Sequence, residues 1–234
     1  MKHPLALVTV LAVAVTVAVS TPASAATATI GVPDDFVSAL SDTRSAGHYE
    51  VVGTALRIYT DNATSEAKVA EYVAAGVPLA GVGEPALDYK RESGGLPGFQ
   101  LVVDFDGNGT GDGILVGETA YGNVWWASNG SAAFVKEGAP STGGGFGSAF
   151  HGTLADWRTA FPNAIVEAFG FSLGSGVLGA GTLNAILFNG TRYTFSQSVV
   201  LASKSECKDG GWATSTSPVF RNQGACVSSF APGK

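Results

Sequence analysis

The sequence predicts an all-β fold, a sandwich of short antiparallel strands. Three observations lead there. The chain of 234 residues carries 32 glycines and 10 prolines with only 14% charged residues, a composition that suits neither a helical bundle nor a disordered chain. Apolar and polar residues alternate in several segments, most cleanly where Phe99, Leu101, Val103 and Phe105 point one way and Gln100, Val102 and Asp104 the other. Turn residues recur at close intervals, so that roughly nine to twelve short strands fit between them, as a sandwich requires.

The first segment stands apart. Met1-Lys2-His3 is a basic start, Leu5 to Val19 is apolar apart from Thr9 and Thr16, and Ala23-Ser24-Ala25 is a small-x-small cleavage signal. Residues 1–25 therefore read as a cleaved secretory signal peptide, 26–203 as the sandwich and 204–234 as a C-terminal segment packed on it. No later stretch is apolar over the ~18 residues that a membrane helix needs, so no membrane contact is expected after cleavage. The formal net charge of −6 disfavours nucleic acid as a partner.

Along the sandwich, Pro33–Leu40 suggests a short helical turn and His48–Tyr59 extended chain. Thr64–Ala75 fits a helix stripe and a strand face alike; the propensity of its residues favours helix. Phe99–Phe105 and Ile114–Val116 form a hairpin, and Val124–Ala127 is a further strand. Residues 138–152 read as an exposed, mobile glycine-rich loop. One short helix follows, with Thr153 as its cap, Asp156 completing a capping box, and Leu154, Trp157 and Phe161 on one face. Ile165–Leu173 and Gly181–Phe188 are strand-like, Asn189-Gly190 signals a type I′ hairpin returning as Thr191–Phe195, and Ser198–Ala202 is a last strand. Cys207 and Cys226 are the chain's two cysteines. An oxidising compartment would join them, a closure worth around 3 kcal/mol in the chain-entropy model.

The tail pattern Cys207-Lys208-x-Gly210-Gly211-Trp212, followed by Phe220-x-Asn222-Gln223-Gly224-x-Cys226-Val227, resembles a C-terminal cysteine-pair segment of uncharacterised secreted actinobacterial proteins. Asp42-Thr43-Arg44-x-x-Gly47-His48, Phe171–Gly176 and the hairpin over 99–117 look similar to that group as well. The resemblance covers most of the chain after the signal. It implies a secreted, jelly-roll-like β-sandwich broadly similar to carbohydrate-binding modules, and no activity.

Two local features bear on function. Asp104-x-Asp106-x-Asn108-Gly109-Thr110-x-Asp112 follows the first nine places of a calcium loop, making Asp104, Asp106, Asn108, Thr110 and Asp112 candidate ligands of a structural Ca²⁺. Its twelfth place is Leu115 where a bidentate Glu is needed, and the flanks read as strands, so an Asx- and Gly-rich hairpin turn is the other reading. In Trp125-Trp126, neighbouring strand residues face opposite sides. One ring should enter the core; the other, beside Tyr121 and Asn123, either offers a face for sugar stacking or is covered by the glycine-rich loop. Catalytic signals are thin. His48 and His151 are the histidines outside the signal segment, Gly-x-Ser-x-Gly is absent, and a hydrolytic carboxylate pair would have to come from residues such as Glu84, Glu118, Glu137 and Glu167. The expected function is non-catalytic binding of extracellular polysaccharide or cell-wall polymer. A hydrolase on a jelly-roll scaffold and a surface interaction protein without a small ligand are the alternatives.

Overall fold

Strands form wherever an alternating segment finds partners on both sides. The computed structural model describes residues 25–231, and the expected signal segment through Ser24 lies outside them. The strands are β1 (Ala26–Val32), β2 (Gly47–Val52), β3 (Ala55–Thr60), β4 (Lys68–Pro78), β5 (Ala86–Gly94), β6 (Gly98–Asp104), β7 (Gly113–Gly117), β8 (Val124–Ala127), β9 (Ser141–Phe146), β10 (Ser148–Thr153), β11 (Ile165–Gly174), β12 (Gly179–Phe188) and β13 (Thr191–Gln197). The helices are short: α1 (Ala133–Glu137), α2 (Leu154–Ala160) and α3 (Gln223–Ser229). The chain is thus an all-β sandwich of two sheets with a disulfide-closed tail, with three short helices where the sequence predicts one.

The larger sheet has the order β4-β11-β6-β7-β8-β10-β9 and is antiparallel throughout. The smaller sheet has six strands but is narrower than that number implies. β12 pairs with β5 along one side, and on the other side with β3 through Ala180–Leu183 and then with β13 through Ile186–Phe188. β2 continues from β3, and β1 continues from β13 in parallel, the one exception to the antiparallel rule. The smaller sheet is therefore four strands wide against seven. At about 4.8 Å per strand, the larger sheet extends some 14 Å beyond its partner.

The two inner faces meet in one apolar core. Phe169 of β11 stacks on Phe188 of β12 at 4.2 Å and lies 4.9 Å from Tyr193 of β13, so one ring clamps both sheets. Leu101, Val103 and Leu115 from the larger sheet and Leu56, Ile58 and Leu183 from the smaller are fully buried. Where the smaller sheet ends, α2 takes over: Leu154 and Trp157 are fully buried, and the Trp157 Nε1 donates to the Trp125 carbonyl at 3.1 Å. Its capping box forms as expected, Thr153 Oγ1 accepting from the Asp156 N–H at 3.2 Å.

At the opposite flank the segment between β1 and β2 closes the sandwich along β4. It is a series of turns, not the helical turn expected over Pro33–Leu40, with Phe36 buried and bridged to Val73. The Asp42-Thr43-Arg44 motif pins it. Asp42 pairs with Arg44 at 2.9 Å and with Lys68 of β4 at 2.6 Å, while Thr43 Oγ1 donates to the buried Glu71 carboxylate at 2.6 Å.

Three further expectations are corrected and one is refined. Thr64–Ala75 contributes to β4, because pairing with β11 on one edge and the 36–46 segment on the other outweighs the helix propensity of its Ala, Glu and Lys residues. His48–Tyr59 is extended as expected, but as the two strands of a hairpin, β2 and β3, turning at Gly53. The glycine-rich 138–152 is mostly strand, since backbone pairing of β10 with β8 and β9 needs no side chains. Ser198–Ala202 forms no strand, its residues being tied to Val32 and to Thr216 by single backbone bonds.

Two predictions follow from this packing. Phe169→Ala should lose about 3–5 kcal/mol in a urea titration, since the cavity would lie between the sheets; a loss under 1 kcal/mol would contradict the clamp. The Arg44 guanidinium, with Lys68, holds the Asp42 carboxyl at about 2 against the opposing effect of burial. Its folded value lies below the unfolded one, so the stabilisation is complete above about pH 4 and is lost as pH falls through about 2. The stability gap between the parent chain and Asp42→Asn should shrink over that interval, and a gap independent of pH would refute the assignment.

Candidate functional site

A cleft of about 780 Å³ opens on the flank where the smaller sheet stops. Its smaller-sheet side is β5 with the segment before it, contributing Glu84, Pro85, Leu87 and Tyr89. Leu96 and Pro97 from the β5–β6 connection close one end. The larger sheet supplies Phe99 and Trp125, and the β7–β8 connection supplies Glu118, Thr119 and Asn123.

The aromatic walls are firmly set. Trp125 is only 4% exposed and meets Phe99 edge-on at 5.8 Å. Gly117 lies across its ring: a Cβ there would stand 2.8–2.9 Å from three ring carbons, so any larger residue would displace the indole. Tyr89 points inward, its hydroxyl buried against Gly181 without a hydrogen-bond partner among the described residues. Burial, and secondarily Glu92, pushes the Tyr89 phenol up to about 12.

The two carboxylates are held differently. Glu118 packs its Cγ over Gly98 and accepts a hydrogen bond from Trp126 Nε1 at 3.0 Å. Glu84 stands 3.8 Å from the Arg158 guanidinium, whose Nε also donates to the Leu79 carbonyl at 3.1 Å. Arg158 therefore anchors the segment that carries Glu84.

The four residues proposed for sugar contact divide between two faces. Trp125 and Asn123 line the cleft. Trp126 faces the outer side of the larger sheet, half-buried beneath Gly147, whose added Cβ would fall 2.2–2.5 Å from the indole. Tyr121 stands on that outer side too, edge-on to Phe146 at 5.7 Å, and Phe146 lies 4.3 Å from His151. The β9–β10 turn thus covers the outward tryptophan. Glu118 links the faces, its carboxylate bound to Trp126 while its residue lines the cleft.

The 104–112 hairpin is organised around Asp104, which is 2% exposed. Its Oδ1 accepts from the N–H of Gly107 at 2.8 Å and of Asn108 at 3.2 Å, and its Oδ2 from that of Gly109 at 2.7 Å. Burial pushes this carboxyl up, but those three donors together outweigh it and leave it below the ordinary carboxylate value. Asn108 Oδ1 accepts from the Thr110 N–H, and Asp112 Oδ2 from that of Phe105, so these side chains also serve the turn. Oxygens of Asp104, Asp106 and Asp112 nonetheless lie within 4.8 Å of one another. Asn108 and Thr110 are exposed, with Asn108 Nδ2 bonded to Asp106 at 3.0 Å.

Elsewhere, Cys207 and Cys226 form the expected disulfide and are fully buried, with Asn222 capping α3 through the Ala225 N–H at 2.8 Å. His48 bonds Asp61 at 2.7 Å and stacks on Tyr59. Cleft residues that the sequence did not single out for a functional role are Tyr89, Phe99, Leu96, Pro97 and Thr119. No family model matches the chain, and no curated protein or solved structure matches it either.

Asp104→Ala would leave several hairpin N–H groups without their acceptor and should cost about 1–3 kcal/mol in denaturant titration. The turn closes through the chain's own groups, so neither added calcium nor chelator is expected to move the melting temperature. A calcium-dependent rise, abolished in Asp106→Asn, would instead make the hairpin a metal site.

Proposed function

We propose that this is an extracellular, non-catalytic protein that binds carbohydrate, a polysaccharide or cell-wall polymer, in the flank cleft. The observation that carries the reading is the composition of the cleft: an apolar lining that includes the largely buried Trp125 and Phe99 rings and Tyr89, beside the amide of Asn123 and the hydroxyl of Thr119. A sugar presents an apolar ring face and a rim of hydroxyl groups, and asks for that combination. The Cys207–Cys226 disulfide supports an oxidising compartment, and no helix among the described residues is long and apolar enough to cross a membrane. Trp126 and Tyr121, covered by the β9–β10 turn, act in this reading as supports of the β7–β8 connection.

A second reading has one specific observation in its favour. Glu84 and Glu118 are both lining residues of the cleft, and a carboxylate-dependent glycoside hydrolase needs such a pair, although the Glu118 carboxylate is held by Trp126 on the outer face. Retention of the full protein on a panel of insoluble polysaccharides and purified cell walls separates the cases. Binding to at least one polymer, weakened about tenfold by Asn123→Ala with Thr119→Ala and accompanied by no release of reducing ends, is the expected result. Retention on none, or retention indifferent to those substitutions, would overturn the cleft as the binding site. Sugar release abolished by Glu118→Gln would establish the hydrolase.

A further inference from the structure

Beyond β13 the chain leaves the sandwich and bonds only to itself. The Ser198 N–H donates to the Val32 carbonyl at 2.8 Å, the last hydrogen bond that ties the C-terminal segment to a sheet. From Val199 onward, every hydrogen bond among the described residues stays within the segment. The Val199 N–H donates to Thr216 Oγ1 at 2.7 Å and the Val199 carbonyl accepts from the Thr216 N–H at 2.9 Å, which joins the two arms of the segment at its base. The Glu206 carboxylate accepts from the Ala202 N–H at 2.8 Å, and Asn222 caps α3. Among the described residues no ion pair connects 199–231 to the sandwich, and no residue after Phe195 belongs to the apolar core.

The segment must therefore be held by its own interior, and that interior is the disulfide. Cys207 and Cys226 are fully buried, and Ser215 is the one other buried residue of 199–231. Leu201, Trp212, Phe220, Val227 and Phe230 are only half-buried. A unit of fewer than ~40 residues rarely buries enough apolar surface to offset its chain entropy, and a cross-link lowers that entropy in the open state. The sandwich has a core of its own, so the bond acts on the tail alone. We propose that residues 199–231 are a separate folding unit ordered by the Cys207–Cys226 bond, a redox-sensitive appendage that a dithiol opens while the sandwich and its cleft stay folded. In that step the S–S bond breaks and two S–H bonds form; the dithiol gives up two electrons and two protons and closes its own disulfide. Lys204, Lys208 and Arg221, exposed in the folded tail, then lie in a flexible chain of the kind that proteases cut.

The test compares the full protein oxidised, treated with dithiothreitol, and as the double variant Cys207→Ser with Cys226→Ser, by nitrogen–proton correlation spectra and melting curves. The variant removes the bond whether or not the reductant reaches the buried sulfurs. Without the bond, the Trp212 indole and the backbone amides of 204–231 should collapse to unfolded positions, with the Trp125 and Trp157 indoles unmoved. The sandwich should melt within about 3 °C of the oxidised protein. Trypsin should cut at Lys204, Lys208 or Arg221 about tenfold faster and leave the sandwich as a resistant fragment. A larger fall in melting temperature, about 6–12 °C where such a disulfide braces a whole domain of this size, or movement of the Trp125 and Trp157 indoles, would make the tail an integral part of the sandwich and overturn the proposal. Tail amides that keep their folded positions without the bond would overturn the redox control.

Discussion

The inner face of a sheet seven strands wide cannot be buried by a partner four strands wide, and much of this molecule answers that constraint. Where the sheets do overlap, apolar side chains meet face to face, with Phe169 stacked on Phe188 across the gap. Where they do not, the chain must supply something other than a strand. The segment after β4 and the helix α2 do so, burying Leu79, Val82, Leu154 and Trp157 in the same core. The cleft lies between that improvised cover and the last strand of the smaller sheet. It is a consequence of mismatched widths, and its aromatic walls, Phe99 and Trp125, belong to the core.

The two flanks illustrate opposite solutions. Along β4, the segment between β1 and β2 is sewn down by backbone bonds and by Asp42, Thr43 and Arg44, which satisfy Lys68 and the buried Glu71. That flank is sealed and its charges are paired. Along β5, a cleft lined by apolar and polar residues stays open. The sealed flank gives stability, and the open flank gives the molecule a place to bind.

Features set by neighbours in sequence were legible: the alternation of Phe99–Phe105, the Thr153/Asp156 capping box, the Asn189-Gly190 turn with both residues at positive φ, and the cysteine pair. The opposite facing of Trp125 and Trp126 follows from the strand period alone. Features set by distant partners were not. Thr64–Ala75 has residues that favour helix and becomes strand because β11 holds its backbone. The glycines of β9 carry no pattern, yet the strand runs through them, held to β10 by Ser141, Thr142 and Phe146 on either side of an irregularity in register. The cleft draws on four strands and three connecting segments, so no spacing in the sequence could announce it. In the 104–112 hairpin the same aspartates suit a turn and a cation equally, and the residue types alone do not choose between them.

The central claim is that the open flank, and not the covered outer face, is where a ligand meets the protein. The adjacent indoles report on the two places separately, because Trp125 lines the cleft and Trp126 lies beneath Gly147 on the other side. The most direct measurement is a nitrogen–proton correlation spectrum of the labelled protein, with indole and backbone signals assigned, during titration with fragments of a retained polysaccharide. The account predicts shifts at the Trp125 indole and at the backbone of Thr119 and Asn123, with those of Tyr121, Phe146 and His151 unmoved. Shifts centred on Trp126, Tyr121 and Phe146, with Trp125 silent, would contradict it.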